Sequence, residues 1–137
     1  MICALMIGRA GSKGFPNKNI ADVLGKKLCE YPILAAKNSK NIDQIYISTD
    51  CPKIKQVGQR YNVNIIDRPK NLATSEALGE DVFRHGYLFI KDLLNSKSKK
   101  IEMMVLLLSF LLSMLILTTT GVLTWSSVTF RRLLAAL

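Results

Sequence analysis

Blocks of apolar residues separated by polar stretches run through the first hundred residues of the chain. Residues 2–7 are apolar throughout, which is typical of a strand buried on both faces of a parallel sheet. Residues 42–49 alternate, with Ile45 and Ile47 standing between polar neighbours, and residues 63–66 form a third short apolar run. The pattern predicts three strands, the second of which is followed closely by hydroxyl and carboxylate side chains.

Helical spacing fills the intervals between these strands. Residues 31–38 carry apolar side chains three to four positions apart. Pro52 begins a second helix that continues to Tyr61, since proline is favoured at the start of a helix. Ser75 is predicted to cap a third helix that runs to about Leu94. This alternation predicts an α/β fold with a mostly parallel, Rossmann-like sheet and with ligands outside the carboxyl ends of its strands.

The last segment differs in character, because residues 103–130 include no charged side chain. Its length and hydropathy make it a candidate membrane helix with basic residues on both flanks. In the alternative, residues 104–108 form a fourth buried strand and are followed by sequence foreign to the fold, as a shift of coding frame near residues 105–110 would produce. We therefore divide the chain into a folded N-terminal part, residues 1–102, and an apolar tail, residues 103–137.

The chain has 137 residues and a formal net charge of +9 at pH 7, which fits one domain and favours anionic partners. The positive charges are spread out and only four aromatic side chains precede residue 80, so we expect no nucleic-acid partner. The three cysteines are too widely spaced for a disulfide framework or a zinc site, and we expect buried thiols. The N-terminus lacks the features of a signal peptide, which predicts a cytoplasmic protein.

The loop after the first strand carries the candidate chemistry. Residues 8–14, GRAGSKG, combine glycines that allow close approach of backbone N–H groups with cations at Arg9 and Lys13, and Lys18 follows shortly after. Arginine holds phosphate oxygens with two parallel bonds, whereas lysine acts as a point charge. The spacing matches neither the P-loop nor the dinucleotide fingerprint, and a flexible turn with solvated lysines is the alternative. The sequence favours a phosphate-binding loop.

Two further positions allow a choice of roles. Asp50, at the end of the second strand, could approach a nucleotide or a metal. It also precedes Pro52, where an aspartate caps a helix, and we favour the cap. His85 lies one turn after Asp81 on the third helix, and a satisfied, partly buried histidine is favoured over a general base, with Asp81 as a candidate partner.

The run IGRAGSKGFPNKNI, residues 7–20, resembles the N-terminal signature of the acylneuraminate cytidylyltransferase family, which includes the CMP-sialic acid synthetases. The resemblance extends over residues 2–107. It continues in order through five further segments, at residues 24–28, 31–33, 39–43, 47–50 and 68–73. Ordered matches over this length are far more specific than the loop alone.

The resemblance implies a nucleotidyltransferase with a three-layer α/β/α sandwich. Members of the family convert CTP and a nonulosonic, sialic-acid-type sugar acid into the CMP-sugar and pyrophosphate, with Mg²⁺ and as homodimers, for cell-surface polysaccharide synthesis. On this pattern Arg9 and Lys13 are the catalytic cations. The nucleotide-binding residues that the resemblance implies are Arg9, Gly11, Ser12, Lys13, Lys18, Asn19 and Arg68.

The chain departs from the family pattern after residue 104, and no acidic residue follows Glu102. The aspartate pair that holds magnesium in the family, and the segments for sugar binding and dimerisation, have no counterpart here. We therefore expect a truncated domain with unassigned metal ligands and impaired turnover. The alternative is an inactive nucleotide-binding remnant, or one anchored to a membrane through residues 103–130. Enzymes for the eight-carbon lipopolysaccharide sugar are less favoured, because their loop ends in Lys-Pro where this chain has Lys18-Asn19.

Overall fold

The computed structural model describes residues 1–11, 16–97 and 100–101, together with the backbone of residues 103–107. Strands and helices alternate along this part of the chain, as the hydrophobic pattern predicts. The strands are β1 (Ile2–Gly8), β2 (Asp22–Val23), β3 (Lys26–Lys27), β4 (Gln44–Thr49), β5 (Asn64–Asp67) and β6 (Met103–Leu107). The helices are α1 (Glu30–Asn38), α2 (Pro52–Arg60) and α3 (Gly79–Asn95), with single 3-10 turns at Lys18–Ile20 and Lys70–Leu72.

The main sheet has the strand order β5-β4-β1-β6, and every pair of neighbours in it is parallel. The predicted parallel sheet is therefore confirmed. Strand β6 pairs with β1 from Ile2↔Met103 to Met6↔Leu107, so the chain from 103 to 107 forms the fourth strand that was the alternative to a membrane helix. The first five residues of that candidate helix are thus extended, while residues 108–137 lie outside the described residues. No helix in the described ranges is long and apolar enough to cross a membrane.

Two apolar clusters lie on opposite faces of the sheet and divide the molecule into three layers. On one face Met6 and Ile47 pack with Ile33 of α1 and Ile54 of α2. On the other face the sheet packs against α3, through Leu5, Tyr46, Phe83, Ile90 and Leu94. Consecutive residues of β1 thus point into different clusters, as side chains on a strand must. The three-layer α/β/α sandwich is confirmed over the described residues.

Two helix glycines set how closely the helices approach the sheet. A Cβ at Gly58 of α2 would lie 2.5 Å from Ile65 Cδ1, and a Cβ at Gly86 of α3 would lie 2.7 Å from Leu5 Cδ2. Both distances are shorter than a van der Waals contact. The bare glycine surface therefore lets each helix lie flat on the large aliphatic side chains of the strands beneath it.

The predicted turn near residue 25 is a tight two-residue hairpin between β2 and β3. Leu24 and Gly25 both have positive φ values, 47° and 79°, as the primed turns that join short antiparallel strands require. Lys27 Nζ forms an ion pair with Asp22 across the hairpin at 2.7 Å. The hairpin connects the loop that follows β1 to α1.

The predicted cap of the third helix is wrong. Helix α3 begins at Gly79, with Leu78 in the N-cap position and no side-chain cap bond. Ser75 lies upstream, in a turn where Thr74 Oγ1 accepts a hydrogen bond from Ala77 N at 3.2 Å. The Thr74 hydroxyl thus stabilises this turn, because short hydroxyl side chains compete locally for backbone N–H groups, while the Ser75 hydroxyl donates to the Glu76 carboxylate.

A buried carboxylate joins α1 to α2. Glu30, at the start of α1, accepts hydrogen bonds from the Tyr61 hydroxyl at 2.6 Å and from Lys27 N at 3.1 Å. Arg60 Nη1 lies 3.9 Å from the same carboxylate. The Tyr61 hydrogen bond is the largest cause of a lowered pKa at Glu30. The ionised form of Glu30 is thus favoured by folding.

Candidate functional site

Three strands of the main sheet end level with one another. Gly8 of β1 pairs with Thr49 of β4, and Thr49 pairs with Asp67 of β5. Because the strands are parallel, the residues that follow them meet at one edge, which we call the carboxyl edge. Those residues are Arg9, Asp50 and Arg68.

Arg68 is buried at the carboxyl edge, with only 8% of its surface exposed. Its Nη2 donates to Ser48 O at 2.8 Å, and its backbone N donates to Thr49 O at 3.2 Å. Its Nε has no hydrogen-bond partner in the described part of the chain. Burial lowers the pKa of the guanidinium, the Asp50 charge opposes that effect, and the Arg9 charge adds to it. A buried cation with an unused donor is suited to hold an anion.

Asp50 contacts the loop that follows β1. Its Oδ1 accepts a hydrogen bond from Ala10 N at 3.1 Å. The favoured role as a helix cap is wrong, because Cys51 is the N-cap residue of α2 and has no side-chain cap bond. Thr49 Oγ1 instead accepts the Cys51 N–H at 3.1 Å. Asp50 therefore lies free of the helix and fixes the first turn of the loop.

The end of β1 is crowded on the side of α2. A Cβ at Gly8 would lie 3.0 Å from Ile54 Cδ1 and 3.7 Å from Asn19 Nδ2. The Asn19 amide therefore lies next to the end of β1, as expected for a residue of the site. Asn19 is buried, and its carbonyl accepts the Cys29 N–H at 2.8 Å. This bond connects the end of the loop after β1 to the start of α1.

The loop itself is described at its two ends. Gly11 is exposed and has a φ of 65°, in the left-handed region that favours glycine. At the other end Asn17 also has a positive φ, 58°, and a half-buried Lys18 begins the 3-10 turn that follows. Ser12 and Lys13 lie outside the described residues, so their assigned roles stay predictions.

The carboxylates at this edge do not suit a magnesium ion. Asp50 Oδ1 accepts the Ala10 N–H, and Asp67 forms an ion pair with Lys55. The described residues contain no group of three histidine, cysteine or acidic side chains that could hold a metal. Magnesium prefers several oxygen ligands in near-octahedral geometry. The described residues therefore do not fit the Mg²⁺ that the resemblance implies.

The remaining titratable candidates do not contribute to the site. His85 Nδ1 is buried without a hydrogen-bond partner among the described residues, so the expected bond to Asp81 is not formed there. Cys3, Cys29 and Cys51 are free and buried, which confirms the expected thiols. Burial raises the pKa of Cys29 to about 11, with the Glu30 charge as the next cause. Thiolate chemistry at this cysteine is therefore disfavoured at neutral pH.

A family model described as a cytidylyltransferase matches residues 3–85. The chain belongs to the cytidylyltransferase family. The matched segment contains all three residues that meet at the carboxyl edge, and it ends within α3. The predicted membership is thereby confirmed.

The curated relatives that this chain matches are considerably longer proteins. The N-acylneuraminate cytidylyltransferase of Escherichia coli is 31% identical over 91 residues, covering 66% of this chain and 22% of that protein. The CMP-N,N'-diacetyllegionaminic acid synthase of Campylobacter jejuni is 38% identical over 88 residues, or 64% and 36%. A pseudaminic acid cytidylyltransferase of Campylobacter jejuni is 43% identical over 70 residues, or 50% and 30%. The chain thus spans 22% to 36% of the length of these relatives.

A solved structure supports the fold independently. The structure of a CMP:2-keto-3-deoxy-manno-octonic acid synthetase complexed with CTP superposes with a TM-score of 0.54 at 20% identity. The match covers 64% of this chain and 35% of that protein. At this identity the likeness shows a shared nucleotidyltransferase fold.

The sequence and the structure agree on part of the site. Arg9, Asn19 and Arg68 are assigned from the sequence, and the structure places all three at or beside the carboxyl edge. The contact of Asp50 with the loop was missed. Its position directly after β4 was a usable signal, because that end of a parallel strand faces the ligand side of the sheet.

Proposed function

We propose that this chain supplies the CTP-binding half of a cytidylyltransferase that transfers CMP from CTP to a nonulosonic sugar acid and releases pyrophosphate. The observation that supports this most is the placement of Arg9 and Arg68 at one edge of a cytidylyltransferase sheet, with a buried donor of Arg68 unused. A triphosphate is an anion with many acceptor oxygens, and it matches such a pair.

The reaction asks for positioning and charge stabilisation. A hydroxyl of the sugar acid attacks the α-phosphorus in line, the bond from the α-phosphorus to the bridging oxygen breaks, and negative charge develops on the pyrophosphate that leaves. In our proposal Arg9 and Arg68 hold the triphosphate and take up part of that charge. Asn19 lies beside the end of β1 and supplies an amide that can bind the nucleotide, and Lys13 and Lys18 add positive charge along the loop.

Cytidylyltransferases generally use a divalent metal, which supplies charge neutralisation at the phosphates. The described residues do not form its site, and the chain spans only part of the relatives' length. We therefore propose that this chain binds CTP but turns it over only weakly by itself. An inactive nucleotide-binding protein is the second candidate, and the lack of a metal-binding group among the described residues favours it.

A nonulosonic acid is the proposed acceptor because of the names of the relatives. The relatives described above are named for N-acylneuraminate, legionaminic acid and pseudaminic acid. The synthetase named for an octonic acid shares the fold at 20% identity, which carries no argument about substrate. We propose the cytoplasm as the compartment, since three unpaired cysteines fit a reducing environment. The homodimer implied by the resemblance stays a prediction.

The binding half of the proposal is tested by calorimetric titration of the folded chain with CTP. We expect saturable binding that Arg9→Ala weakens by about tenfold or more, since a charge-assisted hydrogen bond contributes about 1.5–3 kcal/mol. Lys40→Ala is the matched control, because it removes one positive charge from an exposed position before β4, at the far end of the strands. Equal losses in the two variants, or no binding by folded protein, would contradict the proposal.

Turnover is measured separately, as CMP-sugar formation from CTP, N-acetylneuraminic acid and magnesium. We expect a rate far below that of a full-length relative measured alongside. Full activity of the 137-residue chain would overturn the proposed dependence on further segments. CTP binding without any product in the same preparation would favour the second candidate.

A further inference from the structure

The loop that follows β1 is attached to the sheet through one side chain of the neighbouring strand. Asp50 follows β4, and its Oδ1 accepts the Ala10 N–H at 3.1 Å across forty positions of sequence. Ala10 is exposed, as is Gly11, whose φ of 65° turns the chain away from the strand. The hydrogen bond therefore fixes the loop at its first turn, next to Arg9.

Two other roles for Asp50 are disfavoured by its contacts. It forms no side-chain cap with α2, whose N-cap residue is Cys51. It also forms no ion pair within 4.0 Å with Arg9 or Arg68, as far as the described residues extend. Its charge nevertheless acts on the Arg68 guanidinium. The carboxylate thus lies near Arg68 while its hydrogen bond is directed at the loop backbone.

We propose that Asp50 is a positioning residue, which holds the Ala10 N–H so that the phosphate loop leaves β1 in one direction and Arg9 stays beside Arg68. The role of the bond in nucleotide binding rests on the proposed function, whereas the bond itself does not. The chain offers a matched control at the opposite end of the same strand. Asp43 Oδ2 accepts the Ile2 N–H at 2.6 Å, which is the same type of bond far from the loop.

Amide hydrogen exchange of the folded, CTP-free chain tests the bond directly. In the wild-type protein we expect the Ala10 amide to exchange about tenfold or more slowly than the neighbouring Gly11 amide, since a hydrogen-bonded amide is protected. Asp50→Ala is expected to remove this protection, and Asp50→Asn to keep most of it, because the amide oxygen still accepts. Equal exchange at Ala10 and Gly11 in the wild-type protein would overturn the proposal without any variant.

CTP affinity tests the consequence for the site. Asp50→Ala and Asp50→Asn remove the same charge, so the difference between them measures the hydrogen bond. We expect Asp50→Ala to bind CTP about five- to tenfold more weakly than Asp50→Asn, and Asp43→Ala to bind like the wild-type protein. Equal affinity of the two Asp50 variants would refute the positioning role. If the wild-type chain shows a protected Ala10 amide but no CTP binding, the proposed function fails and the bond stands; the assignment of Asp50 to nucleotide binding is then also refuted.

Discussion

The two edges of the main sheet use their polar groups in different ways. The opposite edge, where β1 and β4 begin, is called the amino edge here. Two hydrogen bonds join Ile2 and Asp43 at this edge, from Ile2 N to Asp43 Oδ2 at 2.6 Å and from Asp43 N to Ile2 O at 2.9 Å. The N-terminal ammonium donates to Lys100 O at 3.2 Å. At the carboxyl edge the charges of Asp50 and Arg9 both act on the buried Arg68, whose Nε has no hydrogen-bond partner among the described residues.

The polar groups of the amino edge contribute to stability, whereas we propose that those of the carboxyl edge bind a ligand. Reciprocal bonds at the amino edge hold the start of β1 and β4 in register. At the carboxyl edge, Arg68 is a buried cation whose Nε has no partner among the described residues. Such an arrangement is unfavourable for stability and fits a site where a ligand supplies the missing partner. Variants at the two edges should therefore change different observables.

Replacement of Arg68 should give the largest effect. Arg68→Ala removes the bond to Ser48 O and the proposed contact with phosphate, so we expect CTP affinity to fall roughly 10- to 100-fold and the free energy of unfolding to fall by about 1–3 kcal/mol. Titration calorimetry and urea denaturation measure the two quantities. Arg68→Lys keeps the charge but not the planar fork, and it should retain part of the affinity. Unchanged CTP affinity in Arg68→Ala would remove the carboxyl edge as the binding site.

Loss of the Tyr61 hydroxyl should have a smaller effect that depends on pH. Tyr61→Phe removes the bond that most lowers the pKa of Glu30, and we expect a cost of about 1 kcal/mol at pH 7. The pKa of Glu30 is lower in the folded chain than in the unfolded chain. This stabilisation is therefore complete at pH values above the ordinary pKa of about 4.5, and it is lost as the pH falls through the pKa of the folded chain. The difference in free energy of unfolding between the two proteins should therefore shrink from pH 6 to pH 3. A difference that is constant over that range would contradict the assignment of the Tyr61 hydrogen bond as the main cause of the lowered Glu30 pKa.

Loss of the Asp43 carboxylate should change stability alone. Asp43→Ala removes the bond to Ile2 N at the amino edge, and we expect the free energy of unfolding to fall by about 0.5–1.5 kcal/mol. CTP affinity should stay at the wild-type value, since the proposed site is at the other end of the strands. A loss of affinity as large as that in Arg68→Ala would break the distinction between the two edges.

The smallest effect should be that of CTP on the reactivity of the cysteine thiols. All three cysteines are buried, and the pKa of Cys29 is raised to about 11. At pH 8 a disulfide reagent such as Ellman's reagent should react with the folded chain much more slowly than with the chain in urea. CTP should alter this slow rate little, although Cys51 directly follows the site residue Asp50. Rapid reaction of Cys51 in the folded chain would show that the carboxyl edge opens more than the structure indicates.

The sequence predicted the sheet well, because its strands are short apolar runs with clear turn residues between them. The apolar run at 2–7, the alternation of Ile45 and Ile47, and Pro52 at a helix start each correspond to an observed element. The start of α3 was missed since Ser75 and Thr74 are both hydroxyl residues in front of a helical pattern. Only the three-dimensional structure shows which backbone groups they reach.

The placement of candidate residues at the carboxyl edge was predictable where residue type and family pattern agree. Arg9, Asn19 and Arg68 are such positions. The bond from Asp50 to Ala10 spans forty residues and depends on the register of β1 against β4, which no local pattern encodes. The Glu30 and Tyr61 pair is a similar case, because it joins the first helix to the end of the second.

The most direct test of the central claim is a titration of the isotope-labelled chain with CTP, followed through its backbone amide resonances. We expect the largest shifts at the carboxyl edge, in the amides of Arg9, Ala10, Asp50 and Arg68. The amides of Ile2 and Asp43 at the amino edge should stay unchanged. Shifts concentrated at the amino edge, or a folded spectrum that CTP does not change, would contradict the assignment of the carboxyl edge as a nucleotide-binding site.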